Sequence, residues 1–112
     1  GFWQFEQGGG VTGVLTHPAS RDSIREVLAA LAYHPDCWTA SACYAAIEHN
    51  DILAAAFARC LLWTVPSALP EQDDPETAWQ QYLAAWRPGQ PRRATWDAYY
   101  VDGWAIVEAA TR

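Results

Sequence analysis

The first ten residues, GFWQFEQGGG, set a glutamine and a carboxylate two positions apart, Gln4 and Glu6, among three aromatic rings and four glycines. In an extended segment those two side chains would share a face. A carboxyl there could act as a general acid only in an apolar, partly buried setting that raises its pKa. Glu6, in a glycine-rich stretch, has no evident pocket of that kind. It is therefore expected to cap a turn or pair with an arginine, with the acid role as the alternative. Glu48, His49 and Asp51 could form an acid-base pair in which a carboxylate orients the imidazole. No serine or cysteine nucleophile is tied to them by spacing, so a capped helix junction is expected instead. His17, before Pro18, lies close enough to the glycines in sequence to count as a candidate cleft residue. His34, Cys37, Cys43 and His49 match no common zinc spacing, and no metal or other cofactor is expected. The glycine run is not a phosphate loop, because that motif needs G-K-[ST] and all seven basic residues of this chain are arginines. Glu71, Asp73, Asp74 and Glu76, between Pro70 and a helix start, read as solvated, helix-capping charge.

The elements that must position these residues follow from composition and periodicity. A chain of 112 residues, 51% hydrophobic and 18% charged, can bury one core without metal or disulfide staples, and one domain over residues 1–112 is expected. The net charge of -6 and the scattered arginines argue against nucleic acid or an anionic membrane as partner, since both reward a basic patch. No apolar run approaches the ~20 residues of a membrane-spanning helix. Cys37, Cys43 and Cys60 form no C-x-x-C pair, and reduced, buried thiols are expected.

The pattern predicts an all-α fold of about five helices after a glycine-rich N-terminal loop. Gly8, Gly9, Gly10 and Gly13 argue against a continuous helix before about Ser20, and a loop with a short strand is expected there. Ile24, Val27, Leu28 and Leu31 then recur at helical spacing, predicting a helix from about Arg21 to Tyr33, stopped by His34 and Pro35. A second helix covers about Thr39 to Glu48. Asn50 or Asp51 caps a third, ILAAAFARCLLW, whose apolar residues cover every face and predict a central position. A loop from Pro66 leads to Asp74-Pro75-Glu76, a capped helix start. Trp79, Tyr82, Leu83 and Trp86 keep the helical period until Pro88-Gly89. Thr95 is expected to cap the last helix, with Trp96, Tyr100, Gly103 and Val107 facing inward.

Seven tryptophans and five tyrosines remain to be accounted for. Flat rings with polar tips suit sugar stacking at a cleft edge. Trp79, Leu83 and Tyr100 read as core, whereas Tyr82, Trp86, Arg87 and Tyr99, near the WRPGQP turn, are candidates for a substrate wall. The opening GFWQF resembles the G-x-x-Q-[FI] element of the lysozyme superfamily, found in lytic transglycosylases and goose-type lysozymes shortly after their acid glutamate. Together with EHNDILAAAFARCLLW and YLAAWRPGQP, the stretch GFWQFEQGGGVTGVLTHPASR looks like a group of phage and prophage proteins with a lysozyme-like fold.

That resemblance implies action on the β-1,4 glycan strand of peptidoglycan, in a virion or during phage lysis of a host. It places the acid glutamate on a helix before Gly1, so that this chain is the portion after the catalytic helix and is inactive alone. Gln4 would stand on the cleft wall, where an amide can donate to and accept from a substrate N-acetyl group. Gly1, Trp3, Glu6 and His17 would line the same cleft. The alternative is a non-catalytic glycan-binding or virion interaction module that keeps the fold.

Overall fold

A computed structural model describes residues 5–111; Gly1 to Gln4 and Arg112 lie outside the described residues. The described chain is all-α, with six α-helices and no strand, and it divides after Pro66 into two compact units.

The first unit opens with a π-helical turn, Gln7–Val11, that runs directly into α1, Thr12–Thr16. The expected glycine-rich loop or strand is therefore helical. The described glycines use no positive φ, so their conformational freedom is not what the fold draws on here. Each glycine inside a helix costs roughly 0.5–1 kcal/mol relative to alanine. Burial offsets that cost, since Phe5, Val11 and Val14 are all taken into the core. Gly10 has a steric reason as well: a β-carbon there would sit 2.9 Å from Cδ1 of Phe5. The hydroxyls of Thr12 and Thr16 donate back to Gln7 and Thr12 carbonyls, at 2.7 and 2.8 Å.

Helix α2 spans Arg21–Ala30 and buries Ile24 and Leu28. It ends three residues before the expected Tyr33. Ala32 turns left-handed at φ 65°, and the Tyr33 N–H closes onto the Leu28 carbonyl at 2.9 Å. That is a Schellman closure with alanine in the place usually held by glycine. A 3-10 turn, Pro35–Cys37, leads to α3, Ala40–Ile47, whose first turn is capped by the Thr39 hydroxyl accepting from the Ala42 N–H at 3.3 Å.

Helix α4, Asp51–Trp63, is capped by Asn50, whose Oδ1 accepts from the Leu53 N–H at 3.1 Å. It buries Leu53, Ala54, Phe57, Ala58, Cys60 and Leu61. The expectation of an all-round buried helix is corrected by Ile52 and Trp63, which are 70% and 50% exposed. Apolar composition alone could not tell which face would be left uncovered. Helices α1, α2 and α3 all pack on α4, and α3 also packs on the π-helical turn.

The second unit holds α5, Pro75–Trp86, and α6, Arg93–Thr111. Asp74 caps α5 with one carboxylate oxygen on the Thr77 N–H at 3.0 Å and the other on the Thr77 hydroxyl at 2.6 Å. Helix α6 starts two residues before the expected cap, Thr95. Its half-buried face is Trp96, Tyr100, Trp104 and Glu108, whereas Gly103 is exposed and Val107 is 49% exposed. The inward stripe thus follows every fourth residue, because the large rings, not the smallest residues, make the contact with α5.

Candidate functional site

The sequence-derived candidates are distributed over both units. Gly1, Trp3 and Gln4 lie outside the described residues. Glu6 stands at the N-cap of the π-helical turn with extended backbone, φ -103° and ψ 137°, and its side chain is exposed. Its carbonyl accepts from the Val11 N–H at 3.2 Å, which closes the π-turn. The neighbouring Phe5 points the other way, buried edge-on against Phe57 with ring centroids 6.2 Å apart. This alternation gives Glu6 to solvent and Phe5 to the core, so Glu6 has no apolar enclosure of the kind a general acid needs.

His17 is exposed and serves the chain reversal into α2. Its Nδ1 accepts from the Ala19 N–H at 3.0 Å, and its carbonyl accepts from the Ser20 and Arg21 N–H groups. His34 repeats the device before Pro35, with Nδ1 accepting from the Asp36 N–H at 3.1 Å. The signal in the sequence was the repeated His-Pro dipeptide, since proline sets φ while the imidazole satisfies the N–H two residues on. Ser20 is buried, and its hydroxyl donates to the Val14 carbonyl at 2.8 Å. Glu48 and His49 approach only to 4.0 Å, both on the surface.

Cys43 and Cys60 are buried free thiols, as expected, but Cys37 is exposed, on a short turn that buries none of its residues. Burial pushes both the Cys43 and the Cys60 thiols up from their ordinary pKa. Among the described residues no group of three or more His, Cys, Asp or Glu side chains could hold a metal ion. None of their helices is long and apolar enough to cross a membrane.

The second unit assembles the aromatic candidates into a row. Trp86 stacks on Tyr82 at 6.0 Å, Tyr82 on Trp96 at 5.1 Å, and Trp96 on Tyr100 at 6.3 Å, with Trp104 edge-on to Tyr100 at 6.4 Å. Trp79, buried as expected, flanks the row against both Tyr82 and Trp96. Two polar tips are used to tie the row down: Trp96 Nε1 donates to the Pro75 carbonyl at 2.8 Å and the Tyr100 hydroxyl to the Glu71 carbonyl at 2.7 Å. Because neighbouring rings cover one another's faces, the row presents edges and polar tips more than open faces.

Arg87, next to Trp86, is exposed and left-handed at φ 48° and ψ 55°, immediately before Pro88. Both conditions are unfavourable for a non-glycine residue, so the C-cap of α5 holds strain beside the end of the row. Tyr99 is 70% exposed and stands outside the row.

The acidic cluster is structural. Asp74 is held below the usual carboxylate range by the Thr77 hydroxyl and N–H, and Glu76 by Gln80 and Arg93. Arg93 also binds Asp97 at 3.0 Å. Gln81, buried, donates to the Ser67 hydroxyl at 3.1 Å and to the Ala68 carbonyl. No family model, curated protein or solved structure matches the chain. The lysozyme-like resemblance therefore rests on the sequence blocks quoted for it.

Proposed function

We propose that this chain is the glycan-facing part of a lysozyme-like domain of phage or prophage type, acting on the β-1,4 glycan strands of peptidoglycan, with its acid glutamate contributed from before Gly1. The observation that carries this reading is the end of the aromatic row, where Trp86 and Tyr82 adjoin the strained, exposed Arg87. A ring edge, a phenol and a guanidinium at one helix end offer apolar contact and donors to a sugar with its hydroxyl and N-acetyl oxygens. No Asp or Glu is buried among the described residues, so none has the setting that lifts a carboxyl into the general-acid range. The chain alone is accordingly expected to leave a cell-wall suspension turbid.

That same lack of a buried carboxylate favours a second reading, a non-catalytic glycan-binding or virion interaction module. Titration of the isotope-labelled chain with chitooligosaccharides tests what the two glycan readings share: shifts are expected at the Trp86 indole, Tyr82 and Arg87, and silence at all three would overturn the wall assignment. An upstream-extended protein then separates them. Wall clearance that is lost when the upstream glutamate is changed to glutamine supports the enzyme, and binding without clearance supports the module. Clearance by the 112-residue chain, abolished by Glu6→Gln, would overturn both and make Glu6 the acid.

A further inference from the structure

We propose that Cys37 and Cys43 form a thiol-disulfide site, in which a small disulfide such as oxidised glutathione converts the two free thiols into a bond tethering the 3-10 turn to α3. The S–H of Cys43 donates to the main-chain carbonyl of Cys37 across 3.7 Å. A residue's carbonyl oxygen and β-carbon are only about 3 Å apart, so the Cys43 sulfur is within roughly 7 Å of the Cys37 β-carbon even in the least favourable direction. A disulfide then needs a side-chain rotation at Cys37 and a shift of a few ångströms, not a refolded segment.

The turn is suited to that adjustment. Pro35, Asp36 and Cys37 are all exposed, while the backbone is kept in place by the Cys37 N–H on the His34 carbonyl at 2.8 Å and the Trp38 N–H on the Pro35 carbonyl at 3.1 Å. Trp38 anchors the far side through Nε1 on the Tyr33 carbonyl at 3.0 Å. After burial, the nearby Cys37 is the second influence that holds the Cys43 thiol up. Cys60, also buried, has no such thiol neighbour among the influences on it; its second is Arg59.

The chemistry assigns an order. The exposed Cys37 thiolate attacks one sulfur of the glutathione disulfide, forming a mixed disulfide and releasing one glutathione thiolate. Cys43 then loses its proton to solvent and attacks the Cys37 sulfur, and the second glutathione leaves as thiolate. One disulfide is reduced as one is formed, and both electrons pass to glutathione. Because α3 packs on the π-helical turn, the tether reaches the helix that backs the glycine-rich segment.

The test uses the full chain, reduced and then exposed to oxidised glutathione, with free thiols alkylated before trypsin digestion. Cleavage after Arg25 and Arg59 leaves Cys37 and Cys43 on one peptide, residues 26–59, and Cys60 on the next. The expected product is the 26–59 peptide lighter by two hydrogens, not alkylated, and restored by dithiothreitol, with Cys60 alkylated only after unfolding. A persistent glutathione adduct on Cys37, a link between the two peptides, or two alkylated cysteines on 26–59 would each overturn the site. Cys37→Ser should leave Cys43 reduced in the folded chain, and Cys43→Ala should trap the adduct on Cys37. The wild-type peptide map decides the matter even if the Cys43 variant does not fold.

Discussion

The unit up to Pro66 takes Val11, Val14, Ile24, Leu28, Cys43, Leu53 and Phe57 almost wholly out of solvent, whereas among the described residues the unit after it buries only Ala78, Trp79 and Gln81 and no residue of α6. The first is held by close-packed aliphatic side chains around α4, where stabilisation scales with apolar area removed from water. The second is held by rings stacked along two helices and by polar tips pinned to carbonyls of Glu71 and Pro75. Two helices cannot enclose a core, so large half-buried rings and specific hydrogen bonds replace it. The first unit should therefore fail through cavities and the second through loss of individual rings and caps.

Phe57→Ala should have the largest effect. It removes a fully buried ring that also receives Phe5, and should cost about 3–5 kcal/mol in urea unfolding. A loss under ~1 kcal/mol, below the range for a buried aromatic, would mean that α4 does not carry the first core. Trp96→Ala comes next. It deletes the ring that touches Tyr82, Trp79 and Tyr100, and it should cost about 2–3 kcal/mol, less than a fully buried aromatic because Trp96 is half-buried. The near-ultraviolet circular dichroism of the stacked rings should fall with it. An unchanged spectrum would show that the row does not persist in solution.

Gly10→Ala tests the packing of the first unit. With a β-carbon 2.9 Å from Phe5 Cδ1, overpacking should destabilise by ~1–2 kcal/mol. Gly8 and Gly13 have open space at that position and should accept alanine with no loss, so equal effects at all three would contradict the packing argument. Ala32→Gly should raise stability by roughly 0.5–1 kcal/mol, since a left-handed alanine is strained and glycine is not.

The smallest effect is a pH dependence confined to the second unit. Asp74 and Glu76 have lowered folded pKa values, so their stabilisation is complete above the ordinary carboxylate range and is lost as pH falls through the lower folded values. Ring signals of α5 and α6 should loosen in that acidic window, and Asp74→Asn should remove its share of the dependence. Loosening that began near neutral pH would rule out these carboxylates as the cause.

Of the candidate site, the residue types and their helices were legible, and their grouping was not. The spacing of Tyr82, Trp86, Trp96 and Tyr100 announced aromatic faces on two neighbouring helices, and Trp79 was recognisable as core. That the rings would cover one another's faces depends on how α5 crosses α6, which no local pattern encodes. Tyr99, grouped with Tyr82 and Trp86 by proximity in sequence, is carried to another side of α6 by the 100° step of the helix. Cys37 was expected among buried thiols because free cysteine usually is buried, yet it lies exposed on the 3-10 turn.

The sequence alone was enough for the all-α class, a polar cap at Asn50 or Asp51, the capped start at Asp74-Pro75, and the helical stripes of α2 and α5. All of these are made by side chains and N–H groups a few residues apart, so local spacing is enough. Tertiary structure decided the rest. It made the glycine run helical, because burying Phe5, Val11 and Val14 outweighs the low helix propensity of glycine. It left Ile52 and Trp63 of α4 in solvent, and it turned Trp96, Tyr100 and Trp104 inward instead of Gly103 and Val107. Which face of an apolar helix is covered depends on the neighbours that reach it, and those neighbours are brought in from distant sequence by burial.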